Sequence, residues 1–195
     1  GRDVTVSDSF NSFTGAVSIS GGAIDLENDR ATLLGATTAT SNFALDSNGA
    51  VTQNADLSIT GTTTITAGSG NDITLDDTAN TFTDAVGIVS GNNVTLDADT
   101  AIILAASTIT GNLEVELSSA GTITDSGVIT VGGTTSLDAG GVGDTVSDIT
   151  LDDSHTFTGD VTILQGGNVT INDNGSALGL GAPVTISTVG GDLTL

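Results

Sequence analysis

The sequence NDITLDDTANTFTDAV fills residues 71–86, and a close copy, SDITLDDSHTFTGDV, fills residues 147–161. Each copy combines an apolar–threonine–apolar triplet with two adjacent aspartates and a phenylalanine flanked by threonines. Internal repeats of this length predict an architecture in which one structural unit is built several times and stacked. The fold is therefore predicted from the repeat rather than from any single motif.

Aligning the chain with itself extends the two copies into three long units, the first of which begins at Asp3. The string GTTTITAG of the first unit matches GTTSLDAG of the second, so the similarity covers a whole unit. The units are residues 3-71, 72-147 and 148-195, the last of them truncated. We predict that residues 1-195 are a single segment of a longer chain. We also expect the equivalent phenylalanines to line up along one axis: Phe13, Phe82 and Phe157.

Shorter patterns within each unit predict strands. Apolar–polar–apolar triplets recur mostly 19 to 21 residues apart, at 4–6, 24–26, 43–45, 73–75, 94–96, 113–115, 149–151 and 169–171. Alternation with period two indicates strands that bury one face. Such short strands cannot hold a core alone, but stacked turns cover one another. We therefore predict an all-β fold, a parallel β-solenoid of about 8-9 coils with roughly three strands per coil.

Composition supports this fold and excludes several functions. The chain has 27 Gly, one Pro, and no Cys, Met, Trp or Tyr, while Val, Ile and Thr fill the strand-like runs. Its 24 acidic and 2 basic residues give a net charge of −22, which would repel nucleic acid. No apolar run is long enough to predict membrane insertion. The expected partners are instead neighbouring repeats of the parent chain.

The repeats resemble those of filamentous-haemagglutinin-like bacterial exoproteins, the adhesins exported by two-partner secretion. Strings that carry the resemblance include GGNVTINDNGSALGLG, FTGDVTIL and GTITDSGVITVGGTTSLDAG. The resemblance implies a right-handed β-helix that forms the shaft of a fibrous adhesin on the bacterial cell surface. It also implies an extracellular location, with a host or matrix receptor that the sequence does not identify. The sequence leaves open whether copies associate end to end or laterally into fibres, since the terminal coils of an isolated segment would expose unpaired edges.

Catalysis is not expected from these residues. A lyase acting on acidic sugars needs basic residues, and the chain has only Arg2 and Arg30. Carboxylate pairs could serve a polysaccharide hydrolase, but they recur at equivalent places and therefore suit a repeated corner. Carbohydrate binding or degradation on a calcium-stabilised β-helix remains the alternative function. The single histidine, His155, is predicted to be a surface residue in a loop.

Calcium is the one cofactor that the sequence leaves open. Two aspartates stacked one coil apart would repel by about 0.9 kcal/mol even at the dielectric constant of water, and a column of them would favour a cation. We favour solvated turn aspartates over specific sites. The candidate ligands are Asp72, Asp76, Asp77, Asp97, Asp99, Asp152 and Asp153.

Ice binding by Thr-x-Thr pairs is a further possibility that the spacing argues against. Thr38 and Thr40 match Thr108 and Thr110 of the second unit. Such pairs are expected once per long unit rather than once per coil. An array of them would then have gaps of roughly 14 Å along the axis.

Overall fold

A computed structural model describes residues 1–141 and 147–173, and the backbone of 185–186 and 193–194; most of the truncated end of the third unit lies outside these residues. The described part contains no helix, and therefore none that could span a membrane. The strands are β1 (Val4–Val6), β2 (Val17–Gly21), β3 (Ile24–Asn28), β4 (Thr32–Ala39), β5 (Phe43–Ser47), β6 (Val51–Gln53), β7 (Leu57–Ile59), β8 (Thr63–Thr66), β9 (Ile73–Leu75), β10 (Thr81–Phe82), β11 (Val86–Ser90), β12 (Val94–Ala98), β13 (Ile102–Leu104), β14 (Ser107–Ile109), β15 (Leu113–Leu117), β16 (Ile123–Asp125), β17 (Ile129–Val131), β18 (Thr135–Asp138), β19 (Ile149–Phe157), β20 (Val161–Gln165), β21 (Val169–Asp173), β22 (Thr185–Ile186) and β23 (Leu193–Thr194).

All of the predicted triplets lie in strands. In β9, for example, Ile73 and Leu75 are fully buried, whereas Thr74 between them is half-buried on the outer surface. The same alternation places the apolar residues of successive turns in one continuous core. The apolar residues of the first turn are only partly buried, because only the following turn covers them: Val4, Val6, Phe13, Val17 and Ile19.

The strands stack in three columns, and all of their pairings are parallel. The first column is β1, β3, β5, β8, β11, β14, β17 and the end of β19. The second is the start of β4, then β6, β9, β12, β15, β18, β20 and β22. The third is β2, the end of β4, β7 and β10, and it resumes as β13, β16, the start of β19, β21 and β23.

The chain is therefore a parallel β-solenoid with three strands per turn. The second column contains eight strands, which corresponds to about eight turns. This arrangement confirms the predicted all-β solenoid and its number of strands per coil.

The long unit does not contain a whole number of turns. The second unit comprises the ten strands β9 to β18, which at three strands per turn make three and one third turns. Each unit therefore begins one column later than the unit before it. Val4 opens the first unit in the first column, Ile73 opens the second unit in the second column, and Ile149 opens the third unit in the third column.

The expectation that the three equivalent phenylalanines share one angular position is therefore wrong. Phe82 lies in the third column, where it pairs with Ile59. Phe157 lies in the first column, where it pairs with Val131. Phe13 lies outside the strands, at the corner that leads to the second column. The rotation by one column per unit separates the three rings.

Candidate functional site

The aspartate that opens each unit bridges two turns. Its side-chain oxygen accepts a hydrogen bond from a backbone N–H one turn later, which keeps the corners of successive turns in register. For Asp72 the bond to the Asn93 N–H, followed by that to the Asn92 amide, holds the pKa of the carboxyl below its usual range. The three backbone bonds join Asp3 to Ala23 at 2.9 Å, Asp72 to Asn93 at 3.0 Å and Asp148 to Asn168 at 2.8 Å.

Asparagines continue this bridge along the corner that precedes the second column. Asn93 Oδ1 accepts the N–H of Asn112 at 3.1 Å, and Asn112 Oδ1 accepts the N–H of Thr134 at 2.9 Å. Glycine precedes the donor in both cases because a Cβ at Gly111 or Gly133 would overlap the asparagine oxygen below it. The recurring glycine–asparagine and glycine–threonine pairs are therefore requirements of stacking.

Four acidic side chains form a ladder along the outer side of the second column. Asp97 pairs in register with Glu116, and Glu116 pairs with Asp138. Asp76 follows Leu75, which pairs with Leu96, so it extends the ladder by one turn below Asp97. Partial burial, with the charges of Glu116, Asp76 and Glu114, raises the pKa of Asp97 to about 6. The ladder thus contains a carboxyl group that titrates near neutral pH.

The remaining calcium candidates make hydrogen bonds at two corners: Asp77 and Asp99 lie on successive turns of the corner between the second and third columns, and Asp152 and Asp153 lie within β19. Asp77 Oδ1 accepts the N–H of Ala79 at 3.0 Å in a tight turn, and Asp99 Oδ1 accepts the Ser119 hydroxyl at 2.9 Å. Asp152 and Asp153 contribute their backbone N–H groups to another carboxylate. Within residues 1–141 and 147–173, no group of three or more His, Asp or Glu side chains is arranged to hold a metal ion.

A buried asparagine organises the corner between β9 and β10. Asn80 is fully buried, and its Oδ1 accepts the N–H of Leu57 and the Gln53 amide, each at 2.9 Å. Its Nδ2 donates to Gln53 Oε1 at 3.0 Å and to the carbonyls of Asp97 at 3.1 Å and Leu75 at 3.4 Å. The amide therefore connects three successive turns through neutral hydrogen bonds.

His155 occupies the equivalent place in the third unit, two residues before the phenylalanine, and the prediction of an exposed loop residue is wrong. Its side chain is fully buried within β19. The ring Nδ1 accepts the N–H of Ile129 at 3.1 Å, and Nε2 lies 3.3 Å from Asp125 Oδ2. The Asp125 side chain is also buried, with 2% of its surface exposed. Its Oδ1 accepts the N–H of Asp152 at 3.0 Å, and its Oδ2 accepts that of Asp153 at 3.2 Å.

Sequence reasoning did not identify Asp125 or Gln53 as partners in these two corners. Both residues lie more than 25 positions from the groups they contact, since the sequence separations are 28 for Asp125 and the Asp153 N–H and 27 for Gln53 and Asn80. One signal was present: the Asn–Thr–Phe of the second unit aligns with His–Thr–Phe of the third once a single residue is deleted. That alignment predicts that His155 replaces a corner asparagine.

The structure also corrects the spacing of the threonine pairs. On the third column the exposed Thr38 is followed in register by Ser58 and Thr81 on the next two turns. The residues two positions further on are Thr40, Thr60 and Thr83, also exposed. Hydroxyl pairs therefore occur on three consecutive turns of this column, although the middle one is Ser58 with Thr60 rather than two threonines. The array of six hydroxyls nevertheless spans only about 10 Å along the axis.

Two clefts flank the loop that follows β9. A cleft of about 370 Å³ is lined by Gln53, Asn54, Asp76, Asp77 and Thr78. On the other side of Thr78, a cleft of about 350 Å³ runs beside Glu116, Ser118 and Asp138. The first cleft is lined by polar side chains, whereas Leu117 and two glycines add apolar surface to the second. Both clefts therefore follow the acidic ladder along the rod.

The sequence matches one known family, described as repeats of unknown function (DUF5649), at residues 21–89 and 91–164. These two segments start 70 residues apart, close to the 69 residues between Asp3 and Asp72. Neither the curated proteins nor the solved structures contain a match to the chain.

Proposed function

This chain belongs to the DUF5649 family of repeats, and we propose that it is a structural shaft rather than an enzyme. The observation that carries the proposal is the continuous apolar core, which passes through every described turn without a break. Each turn buries its side chains against the next and pairs its backbone with it, so stiffness follows from stacking. The polar corners reinforce the stack, because their side chains bond to backbone groups of neighbouring turns.

The specific role proposed for the shaft is that of an extracellular adhesin of the filamentous-haemagglutinin type. Support comes from the resemblance of the repeats and from the excess of acidic over basic residues, which keeps such rods apart in solution. In this role the segment extends a binding module away from the bacterial surface. Its own partners are neighbouring repeats of the parent chain, and the receptor is contacted elsewhere.

Duplicating residues 72–147 tests the shaft. Because units are related by the same stacking step, an added copy should extend the rod by three and one third turns, or about 16 Å. Small-angle scattering measures the increase in maximum dimension, and circular dichroism checks that the β content grows in proportion. An inserted copy that leaves the maximum dimension unchanged, or that unfolds the chain, would contradict the shaft.

The adhesin role needs a separate measurement. Antibodies against the chain should label intact cells of the source bacterium, and protease added outside the cells should remove the label. Label that appears only after lysis would refute the extracellular location. A glycan array should show no saturable binding by the segment alone, whereas tight binding to one glycan would assign it a receptor site.

A second candidate function, stabilisation by calcium, is favoured by the acidic ladder. Like charges stacked one turn apart repel, and a divalent cation would reduce that repulsion. A specific site should raise the Tm at micromolar calcium and not at equal magnesium. Equal small shifts with the two cations would show screening alone.

A further inference from the structure

The Asp125–His155 pair holds its imidazole in one tautomer. The backbone N–H of Ile129 donates to Nδ1, which must therefore carry a lone pair. The single proton of the neutral ring then lies on Nε2, which faces Asp125 Oδ2 at 3.3 Å. This contact lacks the alignment of a full hydrogen bond, and the buried Nε2 has no hydrogen-bond partner. The neutral ring is the form that this geometry accommodates.

The pair connects two consecutive turns of the solenoid. Asp125 ends β16 and accepts the N–H groups of Asp152 and Asp153 in β19 one turn later. His155 makes a further connection between the two turns, because its Nδ1 accepts the N–H of Ile129, the first residue of β17. These contacts coincide with an irregularity in the pairing of β19 with β21, between Leu151 and His155. The two side chains thus fix a bulged strand to the turn below it.

A second proton on the ring cannot be accommodated by this arrangement. It would be placed on Nδ1, which already faces the N–H of Ile129 at 3.1 Å, so two donors would point at each other. Burial lowers the pKa of His155 and outweighs the opposing effect of four carboxylates. The charged groups that act on the ring are Asp125 on β16, Asp152 and Asp153 on β19, and Asp173 on β21. The ring must leave its place to become charged.

We infer that His155 and Asp125 form an acid-sensitive latch between the turn of β16 and β17 and the turn of β19. While His155 is neutral, the latch holds the bulged part of β19 against the turn below. When His155 is protonated, the Ile129 N–H loses its acceptor and this part of the solenoid opens locally. The remaining turns stay stacked, because their corners use amides and aspartates.

The direction of the pH effect follows from linkage. Because the folded-state pKa of His155 is lowered, the open state takes up a proton more readily than the closed state. Closure is therefore fully favoured above the ordinary histidine value of about 6.5 and weakens as the pH falls below it. With one proton involved, the opening equilibrium increases by at most about tenfold per pH unit.

Hydrogen exchange of the whole chain at about pH 7.5 and about pH 5, corrected for intrinsic rates, tests the latch. At the lower pH, peptides covering 123–131 and 149–157 should exchange roughly tenfold faster than at the higher pH. Peptides around Asn80, the equivalent corner without a histidine, should show no such acceleration. In a His155→Asn variant, which restores the residue of the second unit, the acceleration should disappear.

Equal pH dependence in both corners, or an acceleration that survives His155→Asn, would overturn the latch. If the variant does not fold, NMR of the unmodified chain decides, since its only histidine gives an unambiguous ring signal. A neutral Nε2–H tautomer that titrates below about 6.5 supports the latch. An Nδ1–H tautomer, or titration at or above that value, rejects it.

Discussion

The corners at Asn80 and His155 occupy equivalent positions in successive units, yet they connect their turns by different chemistry. Asn80 makes neutral bonds to Gln53, two carbonyls and one backbone N–H. His155 relies on one backbone donor and a buried carboxylate, Asp125. The comparison shows that the fold needs a buried polar group at this corner but does not specify which one. Of the two corner residues, only the histidine can change its charge near neutral pH.

The difference coincides with the loss of one residue from the third unit. In the second unit the chain leaves β9 through a tight turn at Asp77 and Ala79 before it forms β10. In the third unit β19 runs without a break from Ile149 to Phe157. The shorter connection removes the turn, and the bulge beside His155 absorbs the change in register. A single deletion therefore changes both the backbone and the chemistry of the corner.

The largest expected effect concerns the phenylalanine that follows each corner. Phe82 and Phe157 are 6% and 2% exposed, so replacing either by alanine should lower the free energy of unfolding by about 3–5 kcal/mol. Phe10, which is 87% exposed, provides the control, and its replacement should change stability by less than about 0.5 kcal/mol. Urea denaturation measures all three. A cost for Phe157→Ala no larger than that of the control would mean that the third unit does not share the core.

The next effect separates the two corners by their hydrogen bonds. Asn80→Ala leaves the buried Leu57 N–H without its acceptor and removes both bonds to the Gln53 amide, which should cost about 2–4 kcal/mol. Asn54→Ala changes an exposed asparagine of the same turn and should cost less than about 0.5 kcal/mol. Thermal melts at several pH values should give a constant difference between Asn80→Ala and the unmodified chain. A difference that varies with pH would show that this corner, too, contains a titrating group.

The fold was predictable because apolar residues alternate in each triplet, and that pattern depends on local sequence alone. The column that a triplet occupies was not predictable, because it depends on the number of strands between successive triplets. Two of those strands, β8 and β18, carry threonine at their first inward position, so the apolar pattern does not reveal them. The burial of His155 was likewise hidden, since Asp125 approaches it through stacking of distant residues.

The inward threonines allow a smaller test of equivalence between units. Thr63 and Thr135 are each 1% exposed, and their hydroxyls have no hydrogen-bond partner. Replacing either by valine removes an unsatisfied polar group and should stabilise the chain by about 1 kcal/mol, or roughly 2–4 °C in Tm. Thr64→Val alters the exposed neighbour and should have almost no effect. Destabilisation by both inward variants would indicate that the hydroxyls have partners in solution.

The smallest effect gives the second unit a pH response opposite to that of the latch. The pKa of Asp97 is raised to about 6 from an ordinary value of 3.8, so the folded chain binds a proton there more tightly than the unfolded chain. The stabilisation that the folded chain gains from binding this proton is fully present below pH 3.8 and is lost as the pH rises through about 6. Asp97→Asn should therefore melt higher than the unmodified chain at neutral pH, and the gap should close on acidification.

The matched control is Asp56→Asn, an exposed aspartate that lies outside the ladder. At neutral pH it should change the Tm less than Asp97→Asn does, because Asp56 lies away from the stacked carboxylates. If the gap for Asp97→Asn instead widens as the pH falls, proton uptake at the ladder does not stabilise the fold. Because acid relieves repulsion along the second column while it charges His155 in the third unit, mild acidification should tighten the middle of the rod and loosen the turns around β19. The two units would then differ in their response to pH, although they share one repeat.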